Sequence, residues 1–160
     1  MATTATAGLT LDEARAMIDR AVEKCREHGV NTSFAVVDEG GNLVSLSRVD
    51  GAPAAAVGVA QAKAYLSAIL QGSTGPFSER MEKLPMRYMG YLHILPRASF
   101  AGPGGMPIMK EGKCVGAIAM SLSSGPGAGK PVPLPDSDEK ANFEDYAVCY
   151  ALGVPYKSQH

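Results

Sequence analysis

Tryptophan is absent from this sequence, cysteine occurs three times, and neither sign of charge prevails: 15 Lys and Arg stand against 16 Asp and Glu, a formal net charge of −1. Without a basic excess there is no electrostatic footprint for DNA, RNA or an anionic membrane surface, and none of these is expected as a partner. Long hydrophobic runs are also missing, so no helix of the roughly 20 apolar residues needed to span a membrane is expected. The opening MATTATAG holds neither Lys nor Arg and no apolar block; residues 1–8 read as a frayed tail rather than a secretory signal. Cys25, Cys114 and Cys149 each sit among apolar neighbours, which reads as reduced, buried thiols in a cytoplasmic protein rather than a disulfide frame. No CxxC or HxxxH spacing marks a metal site. No GxSxG elbow or paired-carboxylate spacing marks a hydrolase of known kind.

What is present is the material of one globular domain over residues 1–160, with 46% apolar residues, enough chain to bury a core unaided. Thr10-Leu11-Asp12-Glu13 has the form of a capping box. Apolar residues then recur at helical spacing to Cys25, and Gly29 supplies the stop. Thr32 to Val37 and Leu43 to Arg48 read as an antiparallel hairpin about the turn Asp38-Glu39-Gly40-Gly41-Asn42. An alanine-rich helix follows from about Pro53 to Gln71, apolar nearly all round, which implies burial on most sides and a subunit contact. Ser78 to Leu84 reads as a turn or two of helix, and Met86 to Leu95 as helix or strand. A second hairpin runs from Met106 to Met109 and from Lys113 to Ser121. Residues 124–135 form a Gly/Pro-rich loop, and Asp136 to Leu152 a last helix capped by Asp136 or Ser137. Helices and hairpins in this order are solved most simply by an α+β fold, an antiparallel sheet with helices packed on it.

Several residues could carry chemistry. Gly125 to Lys130 follows a strand but lacks the first glycine of a phosphate loop, and Pro131 replaces its Ser or Thr, so no nucleotide site is expected. Arg48 and Asp50 flank the end of the first hairpin. Asp50 can cap the next helix and Arg48 can make a surface ion pair, or Arg48 can grip a carboxylate with both arms. Lys63, on the apolar helix, reads as a snorkelling or paired cation, or as an anion anchor or base. His93 lies between Leu92 and Ile94, near Tyr88, Arg87 and Arg97. A buried histidine bonded to a backbone carbonyl is one outcome; a general base or a haem ligand is the other. Cys114 with His93 as nucleophile and base is a weaker arrangement, because a mid-strand thiol usually only packs. Gly104, Gly105 and Pro107 read as the floor of a pocket, where glycine N–H groups can approach an anionic or flat ligand.

Three stretches in order resemble one known family. They are VVDEGGNLVSLSRVDGA (36–52), Gln61-Ala62-Lys63-Ala64 on the helix that follows, and GGMPIMKEGKCVGAIAMS (104–121). The family is the GlcG/HbpS-like one, also described as the haem-degrading or DUF336 domain and related to the C-terminal module of PduO-type corrinoid adenosyltransferases. The resemblance runs over roughly residues 10 to 152. It implies a profilin-like sheet of about five strands and a symmetric homo-oligomer, here a tetramer to octamer. It also implies haem or a corrinoid as ligand in some members. Ala119 to Ser124 and the 124–135 insert depart from the family pattern.

Two functions follow as expectations. The first is binding of haem, or a related planar or anionic small molecule, in a pocket at the sheet end formed by Arg48, Asp50, Tyr88, Gly104, Gly105 and Pro107. His93 is then the metal ligand if haem is bound, and no other metal is expected. The second is a cofactor-free isomerase, tautomerase or hydrolase acting on a small unsaturated or aromatic-derived carboxylate. In that case His93 moves the proton and Arg48 or Lys63 holds the acid.

Overall fold

The computed structural model describes residues 8–135 and 137–156. The expectations that fall on residues 1–7, on Asp136 and on His160 lie outside the described residues. Helix α1 (Leu11–His28) begins with the full capping box. The Glu13 amide donates to Thr10 Oγ1 at 3.2 Å, and the Thr10 amide donates to Glu13 Oε2 at 2.8 Å. Gly29, at φ 64°, ends it in the left-handed conformation that glycine adopts without strain. Ala14, Ile18, Ala21 and Cys25 form its buried stripe, and burial pushes the Cys25 thiol up to about 12.

Strands β1 (Asn31–Asp38) and β2 (Leu43–Arg48) form the expected hairpin. The Asp38 carboxylate locks its turn by accepting from the amides of Gly40 at 3.0 Å and Asn42 at 2.8 Å. Helix α2 (Ala56–Leu70) starts at Ala55 with no side-chain cap, so Asp50 does not serve as one. Helices α3 (Thr74–Lys83) and α4 (Pro85–Ile94) come next. Pro76 is tolerated because it lies in the first turn of α3, which therefore starts earlier than Ser78, and Pro85 opens α4. The second hairpin is β3 (Gly105–Lys110) and β4 (Lys113–Ser124).

Among the described residues all pairings are antiparallel, and the sheet has four strands in the order β2-β1-β4-β3, not the expected five or so. The remaining strand material is a separate ribbon of β5 (Val132–Pro133), inside the stretch expected to be loop, and β6 (Lys140–Ala141), inside the stretch expected to be helix. That ribbon also moves the last helix. Because residues up to Ala141 are spent on it, α5 runs from Phe143 to Leu152 and its cap is Asn142, whose side chain accepts from the Glu144 amide at 2.9 Å. The Ser137 hydroxyl accepts from the Glu139 amide instead.

Strand alternation assigns the two sheet faces. Phe34, Val36, Met106, Ile118 and Met120 face α1 and α5 in the larger core. Ala35, Val37, Ala117 and Ala119 meet Ala60, Ala64 and Ala68 of α2 in a second, small-residue core. Residues 62–68 of α2 are all buried, as its composition implies. The cover comes from the chain itself: Lys63 meets Pro103, Tyr65 meets Arg97, and Ser67 bonds Gly72. Among the described helices, α4 is the one with no buried residue, and it exposes Met86, Met89 and Ile94.

Candidate functional site

The end of the sheet near Gly104 is a closed polar cluster. Lys63, only 3% exposed, donates to Pro103 O at 2.7 Å, Met120 O at 3.0 Å and Glu144 Oε2 at 2.7 Å. An ammonium has three donors, and all three are engaged. The Gly104 amide donates to Asp145 Oδ1 at 2.7 Å and the Gly105 amide to Thr74 Oγ1 at 3.1 Å; the Thr74 hydroxyl in turn donates to Gly102 O. Glycine is required at 104, where φ is 94° and a Cβ would stand 2.8 Å from that of Glu144. The expectation that these two N–H groups cradle a ligand is corrected: side chains of α3 and α5 already occupy them. Glu144 opens on a cavity of about 150 Å³ that Ser123, Lys130 and Asn142 also line.

The other sequence candidates lie elsewhere. Arg48 Nε and Nη2 donate to Ala52 O at 3.1 and 2.8 Å, closing the loop after β2. Arg48 and Asp50 together border a groove against Asp19 and Arg26 of α1. Pro107 lines a different, mostly apolar cavity of about 520 Å³ with Met106 and Cys149. The Tyr88 ring packs edge-on against Phe77, centroids 5.0 Å apart at 89°, and so holds α4 to α3. Cys114 is half-buried in β4, its thiol directed at Gly116 O. The fold therefore joins Lys63, Gly104 and Gly105, and distributes Arg48, Tyr88, His93 and Pro107 to other places.

His93 is exposed on the last turn of α4, not buried as a core histidine would be. It borders a groove of about 560 Å³ whose walls include Met81, Met89, Leu92, Leu95 and Pro96. Met89 and His93 are four residues apart and share a face of the helix. The imidazole makes no hydrogen bond among the described residues, so both ring nitrogens remain open for a ligand or a proton. Arg97 and Ala98 complete the groove. Sequence reasoning noted Arg97 only as a neighbour of His93 and missed Thr74, Glu144 and Asp145. The available signal for the last two was an acidic pair suited to the first turn of a helix.

Comparison with known proteins adds the following. The model of a family described as "Haem degrading protein HbpS-like" matches residues 9–126. A 15.0 kDa protein from the dhaT–dhaS intergenic region of Citrobacter freundii is 30% identical over 115 residues, covering 72% of this chain and 80% of the relative. Among solved structures, a double mutant of Streptomyces reticuli HbpS superposes with a TM-score of 0.72 at 23% identity, covering 94% of this chain and 88% of that one. The structure of a PduOC:heme complex gives a TM-score of 0.73 at 17% identity, covering 91% and 94%. At these identities the structural likenesses show a shared fold. No helix among the described residues is long and apolar enough to cross a membrane.

Proposed function

Because the chain belongs to the HbpS-like haem-degrading family, we propose that it binds haem, or a flat, apolar, acid-bearing molecule of that kind, in the groove beneath α4, with His93 as the metal ligand. The observation that carries this reading is an exposed imidazole with open nitrogens in a shallow, open groove of about 560 Å³ walled largely by Met, Leu and Pro side chains, within the usual size range of small-molecule sites. The residues fit the group: thioether and aliphatic walls suit a porphyrin face, and a neutral imidazole is a common axial donor to haem iron. Haem bound there would supply an iron that the His93 imidazole could coordinate. The chain would contribute the rest: Met81, Met89 and Leu92 would offer thioether and aliphatic contacts to one face, and His93, on the last turn of α4, would set the ligand's position along the groove.

The test is haem titration followed by visible absorbance, with wild type and His93→Ala compared. A stoichiometric Soret shift in wild type that is lost or displaced in His93→Ala is expected. No shift in wild type at stoichiometric haem overturns the reading. The homo-oligomer, a tetramer to octamer, belongs to the same proposal: Met86 and Ile94, exposed on α4 outside the groove, support a covered face. Light scattering is expected to give a mass of at least four chains, and a monomer would remove it.

A further inference from the structure

The groove beneath α4 continues past His93. Two of its residues, Arg97 and Ala98, also line a second cavity of about 360 Å³ whose walls include Gly41, Leu43, Gln61 and Tyr65. Arg97 therefore stands where the two cavities meet. Its guanidinium is held in place: Nη1 donates to Gly41 O at 2.9 Å, Nη2 donates to Asn42 Oδ1 at 2.8 Å, and the carbon lies 5.6 Å from the centre of the Tyr65 ring. Both acceptors belong to the β1–β2 turn that Asp38 locks, and Asn42 Nδ2 donates to Asp38 Oδ2 at 3.1 Å as well.

The acceptors that hold Arg97 are a carbonyl and an amide oxygen. Among the described residues no carboxylate forms an ion pair with it. The side chain is exposed, yet its geometry is set by two hydrogen bonds and an aromatic face. A cation oriented by neutral groups keeps its charge for something else, and its planar fork suits a carboxylate. The Asp38 carboxylate is spent on the turn, so its effect on Arg97 is positional. Gln61 and Tyr65 are one helical turn apart on α2 and supply the floor of the second cavity.

We propose that Arg97 anchors the carboxylate of the groove's ligand, and that the cavity between Gln61 and Tyr65 receives the acid-bearing edge of a molecule whose flat apolar body lies beside His93. This rests on the reading of the groove given above, and it adds which edge of the ligand points where and which residue selects for the acid. A neutral molecule of the same shape forgoes the charge-assisted pair with the guanidinium, and Asn42 acts as a positioning residue.

The experiment compares haem with haem dimethyl ester, in which both carboxylates are blocked, by absorbance titration of the full chain. Arg97→Ala is expected to weaken haem binding about tenfold, ~1.4 kcal/mol, and to leave ester binding unchanged. Arg97→Lys, which keeps the charge and loses the fork, is expected to give a smaller loss confined to haem, and it replaces Arg97→Ala should the latter not fold. Asn42→Ala is expected to reduce the preference for haem over the ester without abolishing it. Equal loss for both ligands, or none for either, overturns the role of Arg97 and leaves the groove standing. Wild type that binds neither compound overturns the groove reading, and this one with it.

Discussion

The two histidine- and lysine-bearing regions make opposite use of similar materials. Around Lys63 every donor has an acceptor, the backbone of Gly104 and Gly105 is bonded to side chains, and the cation is 3% exposed. Along α4 no residue is buried, the imidazole is unbonded, and apolar side chains face outward. Burying an ion is tolerated only with full pairing, so the first region is committed to holding the fold together. Open donors beside exposed apolar surface leave the second free to bind.

That contrast can be broken at its strong end first. Lys63→Met removes the cation and leaves Pro103 O, Met120 O and Glu144 without their donor. Glu144 retains some solvent, its side chain being 24% exposed, so the expected cost is about 3 kcal/mol, the low end for breaking a buried pair; urea unfolding checks it. A loss below about 1 kcal/mol, the size of an ordinary surface effect, would mean that the cluster is not what holds β3, β4 and α5 together. His93→Ala should move stability by at most about 0.5 kcal/mol, as expected for a surface position, while changing the haem spectrum. A large drop in melting temperature would assign His93 to the fold instead.

The smallest effect lies away from both regions. Lys110 and the Thr10 cap hold the Glu13 carboxyl at about 2, against an ordinary 4.5. A group lowered on folding stabilises the native state above its unfolded value, and that contribution is lost as pH falls from about 4.5 towards 2. Glu13 is well exposed, with 39% of its side chain accessible, so solvent screening keeps the effect small. Acid unfolding of wild type and Glu13→Gln should diverge above pH 4.5 and converge near pH 2; parallel curves would show that the ion pair adds nothing.

Legibility from sequence followed the range of the interactions. The α1 cap, its glycine stop and both hairpin turns were readable because their partners lie within four residues. The start of α5 was misread because the ribbon of Val132 with Ala141 takes up the residues that otherwise offer a cap. Lys63 was recognised as unusual, but its acceptors lie 40, 57 and 81 residues away in the chain. No periodicity could show that it would be satisfied.

Local chemistry therefore determined α1, α2, both hairpins and the α+β class: capping, turn formation and side-chain periodicity act over a few residues and need no distant partner. Tertiary structure decided which polar residues are spent and which remain open. Gly104, Gly105 and Lys63 are closed by groups from α3, β4 and α5. His93 and Arg97 are brought to one groove by the packing of α4 on α3 and by the bonds from Arg97 to the β1–β2 turn. Whether a donor is available depends on what the rest of the chain places within 3 Å of it, and that is a property of the fold.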